Sequence, residues 1–233
     1  HCNLQCLYCQ NHQISFNENR LAASGLSLKE VLAQIVTCLD EGCHAVGFVS
    51  PSHFVPQCEV IVNALHFLGL HPVIVYNSNG YDKLETLREI ESWVNVYLPD
   101  FKYIDSALAK KYSDAFSYPE IVKKSLAEMY RQKGSTLLMN ELGEAERGIL
   151  VRHLVLPGHT ENSIGVLQFI AQEISTSLHI SLMSQYHPTP FVNDISPLNR
   201  TLFKDEYQTV VEAFYHLGFR KGWIQDLDSY ENY

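Results

Sequence analysis

SLKEVLAQIVTCLDEGCHAVGFVSP (Ser27–Pro51) sets the pattern from which the fold is read. Leu28, Val31, Leu32, Ile35, Val36 and Leu39 recur at helical spacing, Ser27 stands as N-cap with Glu30 at the capping-box position, and Gly42 stops the run. The segment predicts a helix. AVGFVS (Ala45–Ser50) follows as a short, nearly continuous apolar run ending at Pro51, which reads as a buried parallel strand rather than a half-exposed one.

The same alternation repeats toward the C-terminus. A helix is expected from about Val55 to Leu68, a strand over PVIVYNS (Pro72–Ser78), a helix from Asp82 to Ser92 and a strand over VNVYLPDFK (Val94–Lys102). Helices near Ala107 and from Pro119 to Gln132 lead to the strand ILVRHLVLPG (Ile149–Gly158), with Ser135–Gly148 as an excursion or hairpin. A helix over Glu161–Ser175, a strand over HISLMSQYHP (His179–Pro188) and a last helix over Lys204–Leu217 complete the series. Strands alternating with helices imply an α/β fold of right-handed βαβ units around one parallel sheet.

Five such strands are too few to close an eight-stranded barrel, leaving an open partial barrel or a doubly wound sheet. In both, ligands collect at the C-terminal strand ends. Those ends carry the unusual polar groups: Ser50, Asn77 and Ser78, Asp100 and Lys102, Pro157 to His159, and Gln185 to His187.

A chain of 233 residues, 46% hydrophobic, can bury the core of one domain, and residues 1–233 are read as one. Seventeen Lys plus Arg against twenty-six Asp plus Glu give a net charge of −9, the wrong sign for attraction to a phosphate backbone, so no nucleic-acid partner is expected. No apolar run approaches the roughly 20 residues needed to cross a bilayer, and no secretion signal is visible, so no membrane partner is expected either. The chain opens on His1 with a metal motif one residue later, which reads as a fragment of a longer chain.

Three of the six cysteines, Cys2, Cys6 and Cys9, crowd into eight residues, while Cys38, Cys43 and Cys58 sit in apolar, helix-like surroundings and are expected as buried small residues. A secreted disulfide framework would look different, and a reducing cytoplasm fits better. Three thiolates spaced by three and then two residues suit a loop around one cubic cluster, since sulfur ligands select iron–sulfur or zinc. A [4Fe–4S] cube held by three cysteines keeps one iron open to an outside ligand. Zinc on Cys2, Cys6, Cys9 and His12 is the competing reading, weakened by the absence of a second knuckle.

HCNLQCLYCQN (residues 1–11) resembles the signature of the radical S-adenosylmethionine (SAM) superfamily, with Tyr8 immediately before the last cysteine. VSPSHFVPQ, PVIVYNSNGYD, VYLPDFKY, VRHLVLPG and ISLMSQYHP resemble successive segments of its pyruvate formate-lyase activating enzyme-like branch, so the likeness covers nearly the whole chain. The resemblance implies a partial (β/α)6-type barrel whose first strand, leading into the cysteine loop, is expected to be missing from this fragment. It also implies a [4Fe–4S] cluster on Cys2, Cys6 and Cys9, and reductive cleavage of SAM to a 5′-deoxyadenosyl radical. The cofactors carry such chemistry, and the protein orients them and keeps them dry.

The same resemblance assigns candidate SAM contacts. Asn77 and Ser78 fall near the SAM carboxylate and a monovalent cation, and Asp100 and Lys102 fall on an Asp-x-Lys step where lysine neutralises that carboxylate. The alternative for Lys102 is an ordinary ion pair with Asp100 or Glu141. Arg152 matches a family arginine that pairs with Asp100 or SAM, with a structural salt bridge as the alternative. Tyr8 is expected near adenine; Tyr186 and His187 fall near the ribose position, His187 being otherwise a surface residue. The family's Gly-Gly-Glu step reads here Gly47-Phe48-Val49-Ser50-Pro51-Ser52-His53, without its carboxylate, which leaves the Ser50 region, Ser52 or His53 to meet the SAM amino group.

Three functions compete. The first is an activase that abstracts hydrogen from a glycine of a partner glycyl radical enzyme, fed by a flavodoxin- or ferredoxin-like reductant. The second is a radical SAM enzyme acting on a small molecule or another peptide. The third, a non-catalytic iron–sulfur module, calls for a fully protein-ligated cluster.

Overall fold

The computed structural model describes residues 2–16 and 25–227. In chain order these form α1 (His12–Ser15), α2 (Leu28–Asp40), β1 (Ala45–Val49), α3 (Val55–Phe67), β2 (Val73–Asn77), α4 (Leu84–Glu89) and β3 (Val96–Tyr97). There follow α5 (Ser106–Ser113), α6 (Tyr118–Lys133), β4 (Leu138–Met139), β5 (Ala145–Leu154), α7 (Thr160–Phe169), β6 (His179–Met183), α8 (Lys204–His216) and β7 (Gly222–Ile224).

The strands line up as β1-β2-β3-β5-β6-β7, each neighbouring pair parallel. Because the order never reverses, right-handed crossovers place successive helices on one face and the sheet curls into a partial barrel. A doubly wound sheet needs a reversal, so that alternative is excluded. The excursion between α6 and β5 is a short hairpin in which β4 pairs antiparallel with β5.

Strand periodicity explains which side chains reach the concave side. Ile74 and Tyr76 of β2, Ile149, Val151 and His153 of β5, and Ile180 and Leu182 of β6 are buried and belong to the core or its layer. The intervening residues Asn77, Arg152, Leu154 and Met183 all line one cavity, as the two-residue repeat of a strand requires. Each fully buried Val, Leu or Ile of this core is worth about 1.5–3 kcal/mol against leaving it exposed.

Four expectations need correction. The parallel strands number six, not five, because Gly222–Ile224 is too short to announce itself in sequence. Its glycine is required: Gly222 has φ 119° and an added Cβ would collide with the Ile180 backbone. The β1 strand is not buried: all five of its residues are half-buried or exposed, since it has β2 on one side only and α2, though capped by the expected Ser27–Glu30 box, contributes no buried residue. The strand expected over Val94–Lys102 is broken at Pro99, which has no N–H for the ladder; pairing resumes as an isolated Asp100–Arg152 bridge. Among the spare cysteines only Cys58 is buried, whereas Cys38 and Cys43 are exposed. No helix among the described residues is long and apolar enough to cross a membrane.

Candidate functional site

The cysteine loop lies across the C-terminal ends of the strands, and neighbouring segments hold it along its length. Its backbone N–H groups at Gln5 and Leu7 donate to the carbonyls of Ser113 and Tyr112, at the end of α5, at 3.3 and 2.9 Å. The Thr189 hydroxyl donates to the Leu7 carbonyl at 2.6 Å and the Gln10 amide donates to the His187 carbonyl at 2.9 Å. Leu4, Cys6 and Tyr8 are buried while Cys2 and Cys9 are half-buried, so the loop is less exposed than its position at the chain's sequence start suggests.

All three thiols open on one cavity of about 310 Å³, shared with Tyr8, Ser50, Asn77, Ser78, Asp100, Lys102 and Arg152. The three candidate cysteines and the candidate SAM contacts Tyr8, Ser50, Asn77, Ser78, Asp100, Lys102 and Arg152 are therefore brought to a single place, whereas Ser52, His53, Tyr186 and His187 are not. No three His, Cys, Asp or Glu side chains among the described residues group tightly enough to hold a single metal ion. Each thiol also accepts a hydrogen bond: Cys2 from the Asn79 amide at 3.3 Å, Cys6 from the Ser113 hydroxyl at 2.9 Å, and Cys9 from the Ser15 hydroxyl at 3.4 Å. Burial pushes the Cys6 thiol up to about 11, against the opposing pull of Lys102 and of the Ser113 hydrogen bond.

The charged wall of the cavity is a triad. Lys102 Nζ donates to Asp100 Oδ2 at 2.6 Å and Arg152 Nε lies 2.9 Å from Asp100 Oδ1, so two cations face one carboxylate. One positive charge is left over. Burial works against the lysine charge, but Asp100 and Cys6 more than offset it and hold the Lys102 pKa above the ordinary lysine value. Lys102 pairs with Asp100, not Glu141, and both the ion-pair reading and the ligand-facing reading describe its position. Gly80 lets this wall form: an added Cβ would lie 2.5 Å from the Asp100 carbonyl, and φ is 77°.

The remaining candidates sort differently. Ser78 lines the cavity, yet its hydroxyl donates to Asp82 at 2.7 Å. Ser52 likewise donates to Asp82 at 2.6 Å, and neither Ser52 nor His53 lines the cavity. Of the groups considered for the SAM amino group only Ser50 does, in a left-handed conformation (φ 51°, ψ 49°) that a residue before proline rarely adopts. The Tyr8 ring packs between Tyr103 and Tyr186 with centroids at 6.5 and 6.0 Å, so it supports the floor of the cavity. His187 is exposed and absent from the cavity; Gln185, two residues earlier, lines it instead.

Sequence reasoning missed four residues that build the site. Asn79 donates to Asn3 Oδ1 at 2.6 Å and, with Asn3 donating to the Tyr81 carbonyl at 2.9 Å, staples the β2 loop to the cysteine loop; the Asn79-Gly80 turn pair was its signal. Buried Asp82 gathers three hydroxyls, from Ser52, Tyr76 and Ser78. The Tyr118 hydroxyl accepts from Lys102 N–H at 2.9 Å and lies 2.8 and 2.9 Å from the Asn79 and Asp100 carbonyls, tying the segments after β2 and β3 together. Ser113, the last residue of α5, carried no sequence signal.

No family model matches the chain. An uncharacterized protein of Methanocaldococcus jannaschii is 25% identical over 215 residues; these cover 91% of this chain and 59% of that protein, so the chain spans well under two thirds of this curated relative. Among solved structures, a domain of pyruvate-formate lyase-activating enzyme from Bacteroides vulgatus aligns with a TM-score of 0.53 and 16% identity, over 78% of this chain and 98% of that one. Streptococcus suis SuiB bound to S-adenosylmethionine gives 0.63 and 11%, over 99% of this chain and 50% of that one. Methylornithine synthase (PylB) gives 0.58 and 16%, over 96% and 61%.

The fold is the parallel partial barrel that these solved structures share. In this barrel the C-terminal ends of β1, β2, β3, β5 and β6, together with the three thiols, open on one cavity.

Proposed function

We propose that the chain is the core of a radical SAM enzyme that holds a [4Fe–4S] cluster on Cys2, Cys6 and Cys9 and binds SAM beside it. The carrying observation is the shared cavity: three soft thiols on one wall, and a triad with one unbalanced positive charge on another. Three thiols sharing one cavity, with no second cysteine knuckle in the sequence, suit a polynuclear cluster better than zinc. Bound there, a reduced cluster would supply one electron to the sulfonium of SAM, whose C5′–S bond would break to give methionine and a 5′-deoxyadenosyl radical.

The protein's own part is binding, orientation and exclusion of water. Lys102, relieved of only part of its charge by Asp100, meets the SAM carboxylate, and Arg152 holds Asp100 in place. The Ser50 turn offers backbone carbonyl groups to the amino group in place of the missing carboxylate, and Asn77 lies on the side of the SAM carboxylate. Tyr8 and its tyrosine neighbours form the dry floor.

The finer reading is an activase acting on a glycine of a partner enzyme in the reducing cytoplasm, with a flavodoxin- or ferredoxin-like protein as electron donor. The fold likeness to the activating-enzyme domain, which this chain covers almost entirely, supports it. A second reading, action on another peptide, is favoured by the likeness to SuiB bound to its precursor peptide SuiA (TM-score 0.62, 13% identity, 48% of that chain). Anaerobic reconstitution with SAM, a strong reductant and candidate partners separates them: a glycyl radical signal supports the activase. Formation of 5′-deoxyadenosine with a modified peptide and no glycyl radical supports the second, and no 5′-deoxyadenosine under any condition removes both.

A further inference from the structure

The three thiols receive unequal donors. Cys2 and Cys9 are half-buried, and their donors, the Asn79 amide at 3.3 Å and Leu4 N–H at 3.5 Å on Cys2 and the Ser15 hydroxyl at 3.4 Å on Cys9, are all longer than the one on Cys6. Cys6 is buried, and among the described residues the one hydroxyl on it belongs to Ser113, itself 1% exposed, at 2.9 Å. That hydroxyl lies 2.7 Å from the Tyr103 hydroxyl, which is hydrogen-bonded in turn to Tyr8 at 2.6 Å. A serine hydroxyl has a single proton. That proton points at the sulfur, and the Tyr103 hydroxyl, which donates its own proton to Tyr8, lies against the serine oxygen and limits its rotamers.

We propose that Ser113 is a positioning residue that sets the reduction potential of the cluster through its hydrogen bond to Cys6, an inference resting on the cluster reading above. When the oxidised cluster takes one electron from an external reductant, the added negative charge spreads onto the ligating sulfurs. An O–H pointed at one of them stabilises that charge and raises the potential, while no bond at Ser113 breaks and its proton stays on oxygen. Burial makes the bond count, because no water can replace the donor and the surrounding dielectric is low. The backbone of the same helix end accepts from Gln5 and Leu7, so the hydroxyl and the loop it serves are held as one unit.

The test is a redox titration of reconstituted protein, followed by electron paramagnetic resonance of the reduced cluster. Ser113→Ala should keep the wild-type iron content and move the midpoint to more negative values by about ten-fold in the redox equilibrium, about 59 mV for one electron. Ser113→Thr, which restores the hydroxyl, should recover most of the shift. Tyr103→Phe, which keeps the ring packing but frees the Ser113 rotamer, should give a smaller shift of the same sign, and it decides the matter if Ser113→Ala does not fold. Wild-type midpoints in the soluble, cluster-containing variants would overturn the inference while leaving the cluster reading intact. A wild-type protein that takes up no cluster would remove both.

Discussion

Replacing Tyr118 by Phe removes one oxygen from the centre of the site's scaffold. The side chain is fully buried at the start of α6, stacked on Tyr81 at 5.8 Å and edge-on to Tyr103 at 5.5 Å, contacts that Phe retains. What goes is the acceptor for Lys102 N–H and the proton shared by the Asn79 and Asp100 carbonyls. A buried donor left without its partner costs about 1–3 kcal/mol, whereas the carbonyls, each with a second lone pair, lose less. A total near 2 kcal/mol follows. For a chain of this size each kcal/mol lowers Tm by about 2–4 °C, so thermal unfolding followed by circular dichroism should show a fall of about 4–8 °C. Because the same oxygen ties Lys102 to the β2 loop, SAM affinity should fall too, with iron content retained. An unchanged Tm in a folded, cluster-loaded variant would refute the claim that this hydroxyl organises the strand ends.

Lys102→Met keeps the buried stem but removes the unbalanced positive charge of the triad; SAM binding measured by equilibrium titration should weaken by about 1.5–3 kcal/mol, the scale of one charge-assisted bond, with iron content unchanged. His153 donates from Nδ1 to the Phe101 carbonyl at 2.6 Å and burial lowers its pKa from 6.5 to about 4. Folded protein thus holds it neutral where the unfolded chain would protonate it. Its contribution is fully present above about 6.5 and is lost as pH falls from there toward 4, on the order of 3 kcal/mol. Denaturant titrations across that window should show stability rising with pH in the wild type and rising less steeply in His153→Leu; equal slopes would count against a buried neutral histidine.

The repeating helix and strand patterns were legible because each covers enough residues to show its period. Pro72–Ser78 and His179–Pro188 contain real strands, and the Ser27–Glu30 capping box is formed as read. The burial of β1 was not legible, since an apolar run looks the same whether one strand or two flank it. Nor was the true length of β3, where one missing N–H at Pro99 cuts the ladder. Within the site, residues that carry charge or sulfur announced themselves: Cys2, Cys6, Cys9, Asp100, Lys102 and Arg152 all reach the cavity. Residues whose role is to hold others did not. Tyr118 and Ser113 are ordinary members of helical stretches whose hydroxyls matter only once distant segments meet, and His187 lost its expected place to Gln185 by a shift of two residues.

The central claim is most directly tested by iron and sulfide content, with the absorption and paramagnetic spectra, of anaerobically reconstituted wild type and six single Cys→Ala variants. The account predicts one [4Fe–4S] cluster in the wild type and in the Cys38, Cys43 and Cys58 variants, and its loss in the Cys2, Cys6 and Cys9 variants, each of which removes the sole protein ligand of one iron. A cluster retained after Cys6→Ala, or a colourless wild-type protein that binds zinc instead, would contradict it.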